Sequence, residues 1–172
     1  IVMRKIHILL IMLVCQLISL GSFAQKLSAL TGAYGDPLIT DAAQLSSNAS
    51  DEQEGLHIEY LIDGLESTFW HSDWHGKVSD PHYIQVALNE PLTEGYIVMY
   101  MQRREVNNGN HLEEVKMTAS ADGETWEDLA EFTLGNAVSL AEVVSEPIPI
   151  PEGKSYAYIR VINNSATQKF FH

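Results

Sequence analysis

From Tyr83 to Asn163 the chain is a succession of short apolar segments, each interrupted within a few residues by Gly, Asn, Pro or Asp. That punctuation leaves no room for a long amphipathic helix and restricts the chain to strands. Tyr83-Ile84-Gln85-Val86-Ala87-Leu88 alternates, with Ile84, Val86 and Leu88 on one face. Tyr96 to Met101 is almost continuously apolar, the mark of a central strand covered on both sides. Glu114 to Ser120 alternates through Val115, Met117 and Ala119, then enters Ala121-Asp122-Gly123-Glu124, whose Asp-Gly pair signals a turn. Leu129 to Leu134, Ala141 to Ile148 and Tyr156 to Asn163 are the remaining strand candidates. Short strands at regular spacing, with no internal repeat, predict an all-β sandwich or barrel.

Upstream the pattern differs. Met3-Arg4-Lys5, the apolar run Ile6 to Leu20 and the small-residue ending Gly21-Ser22-Phe23-Ala24 describe a secretory signal peptide over residues 1–24, cleaved after Ala24. The reading frame is then expected to start at Met3. The run is too short and wrongly flanked for a membrane span. Lipid attachment at Cys15 is the weaker reading, because Val14 stands where a small residue is normally needed. Residues 25–37 read as a leader or linker, and ordered structure is expected from Leu38. Leu45 to Gly55 is polar and acidic, a loop, and Leu56 to Ile62 has room for one helical turn at most.

Charge narrows the partners. The formal net charge is -13, and loss of Arg4 and Lys5 with the signal peptide takes it to -15. A chain so acidic is a poor partner for nucleic acid, where phosphate neutralisation supplies most of the affinity, or for an anionic membrane surface. Cleavage also removes the single cysteine, which excludes a disulfide scaffold. There is no Gly-x-Ser-x-Gly turn, phosphate-cradling glycine loop or nucleotide fingerprint. A glycosidase needs only two carboxylates at a set separation, but nothing in the sequence selects a pair from the many acids.

Several pieces, in order, resemble the discoidin or factor V/VIII type C domain, and within it the family 32 carbohydrate-binding modules. They are Leu45-Ser46-Ser47; Asp63-Gly64 leading to Thr68 and Trp70-His71; Asp80-Pro81-His82-Tyr83-Ile84-Gln85-Val86; Tyr100-Met101-Gln102-Arg103 with Asn107-Asn108-Gly109; and Ser120-Ala121-Asp122-Gly123-Glu124-Thr125-Trp126. Ala87 departs from the family's usual Asp. The resemblance covers roughly Leu38 to Arg160 and implies a jelly-roll β-sandwich over residues 38–172 with ligand loops at one end. The family's last strand, usually bearing a Glu, would follow Phe171, so the domain is expected to be truncated before it.

The resemblance also implies sites. A hard cation wants six or more oxygen ligands, and the family places a structural calcium at the loop matching Asp63 to Thr68. Its ligands here would be the Asp63 carboxylate, Thr68 and the carbonyls of Tyr60 and Leu65. The alternative is an Asx turn in which Asp63 bonds local amides. Galactose-binding members use a His, an Arg and an Asn, with an aromatic ring three residues after the His. His71, Trp74, Arg103 and Asn108 stand at those places. Arg104 is the alternative to Arg103, since neighbours on a strand face opposite ways. A pyranose offers hydroxyls that donate and accept, which Asn and neutral His answer in kind and Arg answers as a fork of donors.

Trp70 and Trp126 are expected in the core as large fillers between the sheets, and His57, His82 and His111 at the surface without special roles. His71 and His75, four apart, do not make a zinc site, because the segment is not helical and no His-Glu-x-x-His pattern occurs. The resemblance therefore implies a secreted, non-catalytic module that binds a terminal galactose-like sugar on a glycan, carries a structural calcium and can be tethered to further domains. The alternatives are an adhesion module docking a protein through the same loops, or an accessory part of a glycan-degrading enzyme.

Overall fold

The computed structural model describes residues 6–12, 32–51, 55–63, 65, 68–73, 75, 80–102, 113–133, 142–166 and 171, with the backbone alone at 6–12, 101–102 and 142–144. Its strands are β1 Ile6–Met12, β2 Leu45–Ser47, β3 Tyr83–Leu92, β4 Tyr96–Gln102, β5 Glu114–Ser120, β6 Glu127–Thr133, β7 Glu142–Val144, β8 Ile148–Pro149 and β9 Tyr156–Asn163. Five of them form an antiparallel sheet in the order β2-β3-β9-β5-β6. The second sheet is built on β4, flanked by β1 and β7, with β8 also pairing to β4. These are the two layers of an all-β sandwich.

Alternation builds the interior. On β9 burial alternates along the strand, with Ile159 and Val161 inside and Tyr158, Arg160 and Ile162 turned outward. Ile84 and Val86 of β3 and Val115, Met117 and Ala119 of β5 fill the same layer. Ile97 and Met99 of β4 and Ile148 of β8 meet them from the other sheet. Val98 and Tyr100 are buried as well, so β4 is covered on both sides, as its unbroken apolar run requires. Each side chain removed from water contributes about 1.5–3 kcal/mol, and this layer is the main source of stability.

Several boundaries differ from expectation. Leu45–Ser47, read as the start of a loop, is a strand paired to Ile84–Val86, with Leu45 in the core. Ala141 to Ile148 divides into two short strands, because the pairing with β4 shifts by one residue between Val144, opposite Tyr100, and Ile148, opposite Ile97. Ile6–Met12, the apolar centre of the proposed signal peptide, pairs in parallel with Tyr96–Gln102. Apolar, β-branched residues satisfy an open strand edge as readily as they satisfy a signal sequence. The helical turn expected within Leu56 to Ile62 is found at Ile58–Leu61, and another lies at Ala42–Gln44. Gln44 fastens the entry to the domain: its side-chain oxygen accepts from the Thr40 and Asp41 amides, and its nitrogen donates to the Leu38 and Ala87 carbonyls.

Trp70 is a core residue as expected, fully buried, but Trp126 is not. Trp126 is half-buried on the outer face of the five-stranded sheet, where its ring lies over the Arg160 guanidinium at 3.7 Å. The reason is local. It follows the Ser120–Thr125 turn so closely that its indole N–H donates to the Gly123 carbonyl at 3.2 Å, which lays the ring outward.

That turn carries a pH prediction. Gly123 has φ 80° and an added Cβ would meet the Tyr158 ring at 3.4 Å, so glycine is required there. The Asp122 carboxylate accepts from the Thr125 and Glu124 amides at 2.8 Å each and from the Ser120 hydroxyl at 3.0 Å. These bonds, those of the two amides first, lower its pKa from 3.8 to about 2. A carboxylate with a depressed pKa stabilises the fold fully above 3.8, and that contribution is lost as pH falls toward 2. Acid titration of thermal stability should show this loss in the wild type and a shallower slope in Asp122→Asn. Equal slopes would contradict it.

Candidate ligand site at the strand-end loops

The site is assembled around Trp70. Its ring packs against Phe171 with centroids 5.6 Å apart, and its Nε1–H donates to Asp51 Oδ1 at 2.7 Å. The other Asp51 oxygen lies 3.1 Å from His57 Nδ1, and the His57 ring meets Tyr60 edge-on at 5.5 Å. One carboxylate thus ties Trp70 to the Asp51–His57 segment. Asn48 does the same for the start of β3, accepting from Tyr83 N–H at 2.9 Å and donating to the Pro81 carbonyl at 3.1 Å.

Immediately beyond Trp70 the chain is stitched down. Ser72 is fully buried; its N–H donates to the Phe171 carbonyl at 3.1 Å, and its hydroxyl accepts from Phe171 N–H at 2.8 Å. The same hydroxyl is 2.7 Å from His82 Nδ1. Burial pushes the His82 pKa below its ordinary 6.5, partly opposed by the Asp73 charge. Asp73 accepts from the His75 backbone and from His75 Nδ1, and these bonds hold its carboxyl below the usual range. His57 and His82 are therefore not idle surface residues. Each is a partner in a contact that fixes the loops around Trp70, His57 with Asp51 and His82 with Ser72.

His71 is 5 % exposed. Its Nδ1 is 2.8 Å from the Ser72 carbonyl, which can only accept, so Nδ1 carries the hydrogen and in the neutral ring Nε2 is the acceptor nitrogen. Trp74, Arg103 and Asn108, like Arg104 and His111, lie outside the described residues.

The Asp63 loop is compact and exposed. Asp63 Oδ1 accepts from Leu65 N–H at 2.8 Å, an Asx-type contact. Thr68 Oγ1 is 2.7 Å from Asp63 Oδ2 and 2.9 Å from the Leu65 carbonyl. A threonine hydroxyl has one hydrogen, so it cannot satisfy both acceptors fully, and three oxygens converge with one proton among them. The structure thus brings Asp63, Leu65 and Thr68 together. Tyr60 stands three residues upstream, in the Ile58–Leu61 turn. Among the described residues no three His, Asp or Glu side chains are grouped to hold a metal, so a cation here would rely on carbonyl and hydroxyl oxygens. A groove of about 350 Å³ lies at the far end of β3, lined by Leu38, Thr40 and Leu88–Glu94, away from all of these residues.

Two packed β-sheets with strand-end loops pinned by buried side chains define a loop-presenting β-sandwich module. The chain belongs to the F5/8 type C domain family, whose model matches residues 42–171. Among solved structures it is similar to the family 32 carbohydrate-binding module of Clostridium perfringens NanJ in complex with galactose. The two share 19 % identity, with 74 % of this chain and 88 % of that one covered, at a TM-score of 0.52. A second C. perfringens family 32 module, in complex with GalNAc-β-1,3-galactose, matches at 15 % identity over 74 % and 89 % of the chains, TM-score 0.51. The C-terminal domain of a chitobiase from Bacteroides fragilis matches at 21 % identity over 76 % and 87 %, TM-score 0.52. Among curated proteins there is no match. These likenesses bear out the jelly-roll sandwich read from the sequence. No helix among the described residues is long and apolar enough to cross a membrane.

Proposed function

We propose that this protein is a non-catalytic carbohydrate-binding module that takes a terminal galactose-like sugar at its strand-end loops. The observation that carries the reading is the fixed segment Trp70–Asp73, which holds the His71 imidazole in one orientation by its bond to the Ser72 carbonyl. Around it, Trp74 would supply the ring on which the apolar face of the sugar stacks, and Arg103 and Asn108 the hydrogen bonds to its hydroxyls. The galactose bound by the NanJ module agrees with this choice of ligand. Binding at a single site is weak, because a sugar buries little apolar area and its hydroxyls must be desolvated. The module would be exported by residues 1–24, whose cleavage would take β1 away from the edge of β4, and would hold an attached enzyme or a cell surface to its glycan. A glycan array is the test. Galactose-terminated glycans should be retained, and silence across the array with an intact fold would contradict the reading. Retention of a protein ligand instead would favour the adhesion alternative.

The same reading gives the Asp63 loop a structural calcium. Asp63, Thr68 and the Leu65 carbonyl fit a hard cation because they are all oxygen donors, with one proton shared among three oxygens in two close contacts. The Tyr60 carbonyl would be a further ligand. The ion would fix the approach to Trp70 and take no part in chemistry. Calcium should then raise the melting temperature of the wild type and leave that of Asp63→Ala unchanged. A wild type indifferent to both calcium and chelator would refute the site.

A further inference from the structure

The segment that carries His71 is joined to the interior by a seam that one serine hydroxyl closes. Ser72 and Phe171 exchange two bonds: the Ser72 N–H donates to the Phe171 carbonyl at 3.1 Å, and the Phe171 N–H donates to Ser72 Oγ at 2.8 Å. Phe171 in turn packs on the buried Trp70 ring, so the seam ties both ends of the Trp70–Asp73 segment to the core. Ser72 is fully buried, and its hydroxyl has one hydrogen. Two acceptors compete for that hydrogen, His82 Nδ1 at 2.7 Å and the Phe171 carbonyl at 3.5 Å. With the His82 ring neutral and its own hydrogen on Nε2, Nδ1 accepts from Ser72 Oγ, and Oγ stays open to the Phe171 N–H. With the ring charged, both nitrogens are donors. Nδ1–H must then point at Oγ, and the serine hydrogen is left with the Phe171 carbonyl, which is distant and already accepts from the Ser72 N–H. The seam therefore fits the neutral ring and not the charged one.

The groups around His82 compensate its charge only in part. Asp73, in the loop, favours the protonated ring, and the bonds from His75 keep that carboxylate ionised. His71, in the same loop, turns its Nδ1 to the Ser72 carbonyl. Asp51, whose backbone bridges to Ser72, is engaged by Trp70 and His57. Asp80 and Tyr83 stand on the ring's own segment, and β9 contributes the neutral Asn163, whose N–H donates to the His82 carbonyl at 2.9 Å. Burial outweighs the Asp73 charge and pushes His82 below its ordinary 6.5. A histidine depressed in this way stabilises the fold fully above 6.5, and the contribution is lost as pH falls through the lowered value.

We propose that His82 is a positioning residue for the loop-end site: its neutral ring holds the Ser72 hydroxyl, and its protonation opens the Ser72–Phe171 seam, frees the Trp70–Asp73 segment and so releases the ligand in acid. His82 touches no ligand and acts through Ser72. The release of a sugar rests on the proposed function, whereas the opening of the seam does not.

Amide hydrogen exchange of the folded protein, followed by NMR at about pH 7.5 and about pH 5, tests the opening directly. After correction for the intrinsic pH dependence of exchange, the Ser72 and Phe171 amides should exchange about tenfold faster at the lower pH. The Ile159 and Val161 amides in the core of β9 should keep their protection. His82→Gln, whose amide oxygen can accept from Ser72 but does not titrate, should abolish the acid opening. His82→Leu removes the acceptor and should show the open seam at both pH values; if it fails to fold, the wild type and His82→Gln decide. Retention of galactose should fall over the same range in the wild type and not in His82→Gln. Equal seam protection at the two pH values in the wild type, or an acid opening that persists in His82→Gln, would overturn the proposal. An acid-opened seam with no galactose retained at either pH would support the role of His82 and count against the sugar reading.

Discussion

Trp70→Ala is expected to unfold most of the protein, the largest stability effect of any single substitution considered. The ring is fully buried, and truncating a core Trp costs about 3–5 kcal/mol in cavity and lost transfer energy. A domain of this kind has only about 5–15 kcal/mol in total. Two further losses act in the same direction. Phe171 loses the ring it packs on, and Asp51 Oδ1 loses its 2.7 Å donor. Trp70→Phe separates the terms in part, because it keeps a ring in the core while removing the N–H donor and part of the volume; the lost hydrogen bond alone costs about 1–3 kcal/mol. Urea denaturation followed by far-UV circular dichroism checks the order, with Trp70→Ala well below Trp70→Phe and both below the wild type. An unchanged midpoint in Trp70→Ala would mean that the loop segment is not anchored through the core.

The second large effect is on binding. Under the proposed function, Trp74→Ala and Arg103→Ala should each abolish measurable retention on a galactose-terminated glycan while leaving the melting temperature near the wild-type value. Removing an aromatic or Arg anchor from a small site costs about 2 kcal/mol or more, roughly thirtyfold in affinity. For a weak single site that is the difference between detection and none. Arg104→Ala is the control, because its side chain would leave the strand on the opposite face from Arg103. If Arg104→Ala abolishes binding and Arg103→Ala does not, the register has been assigned to the wrong neighbour.

How far the sequence disclosed this molecule depends on the range over which each signal acts. Glu114–Ser120 and Tyr156–Asn163 coincide with the strands read from alternation, because period-two burial is a property of adjacent residues. Leu45–Ser47 was hidden inside a polar segment, since its strand character comes from pairing with β3 rather than from its own side chains. Trp126 was misplaced for the converse reason. Size suggests core, but the Gly123 carbonyl and the Arg160 guanidinium hold the indole on the outside. The Asp63–Thr68 contact was legible because both residues lie within one turn. The contacts of Asp51 with Trp70 and of Ser72 with His82 and Phe171 join segments brought together only by folding, and nothing in a linear reading pairs them.

The most direct test of the account is a two-dimensional NMR titration of the folded protein with methyl β-galactoside. The account predicts amide shifts concentrated at residues 71–75 and 103–108, with the groove at Leu88–Glu94 unmoved. Shifts centred on that groove, or none at saturating sugar, would contradict it.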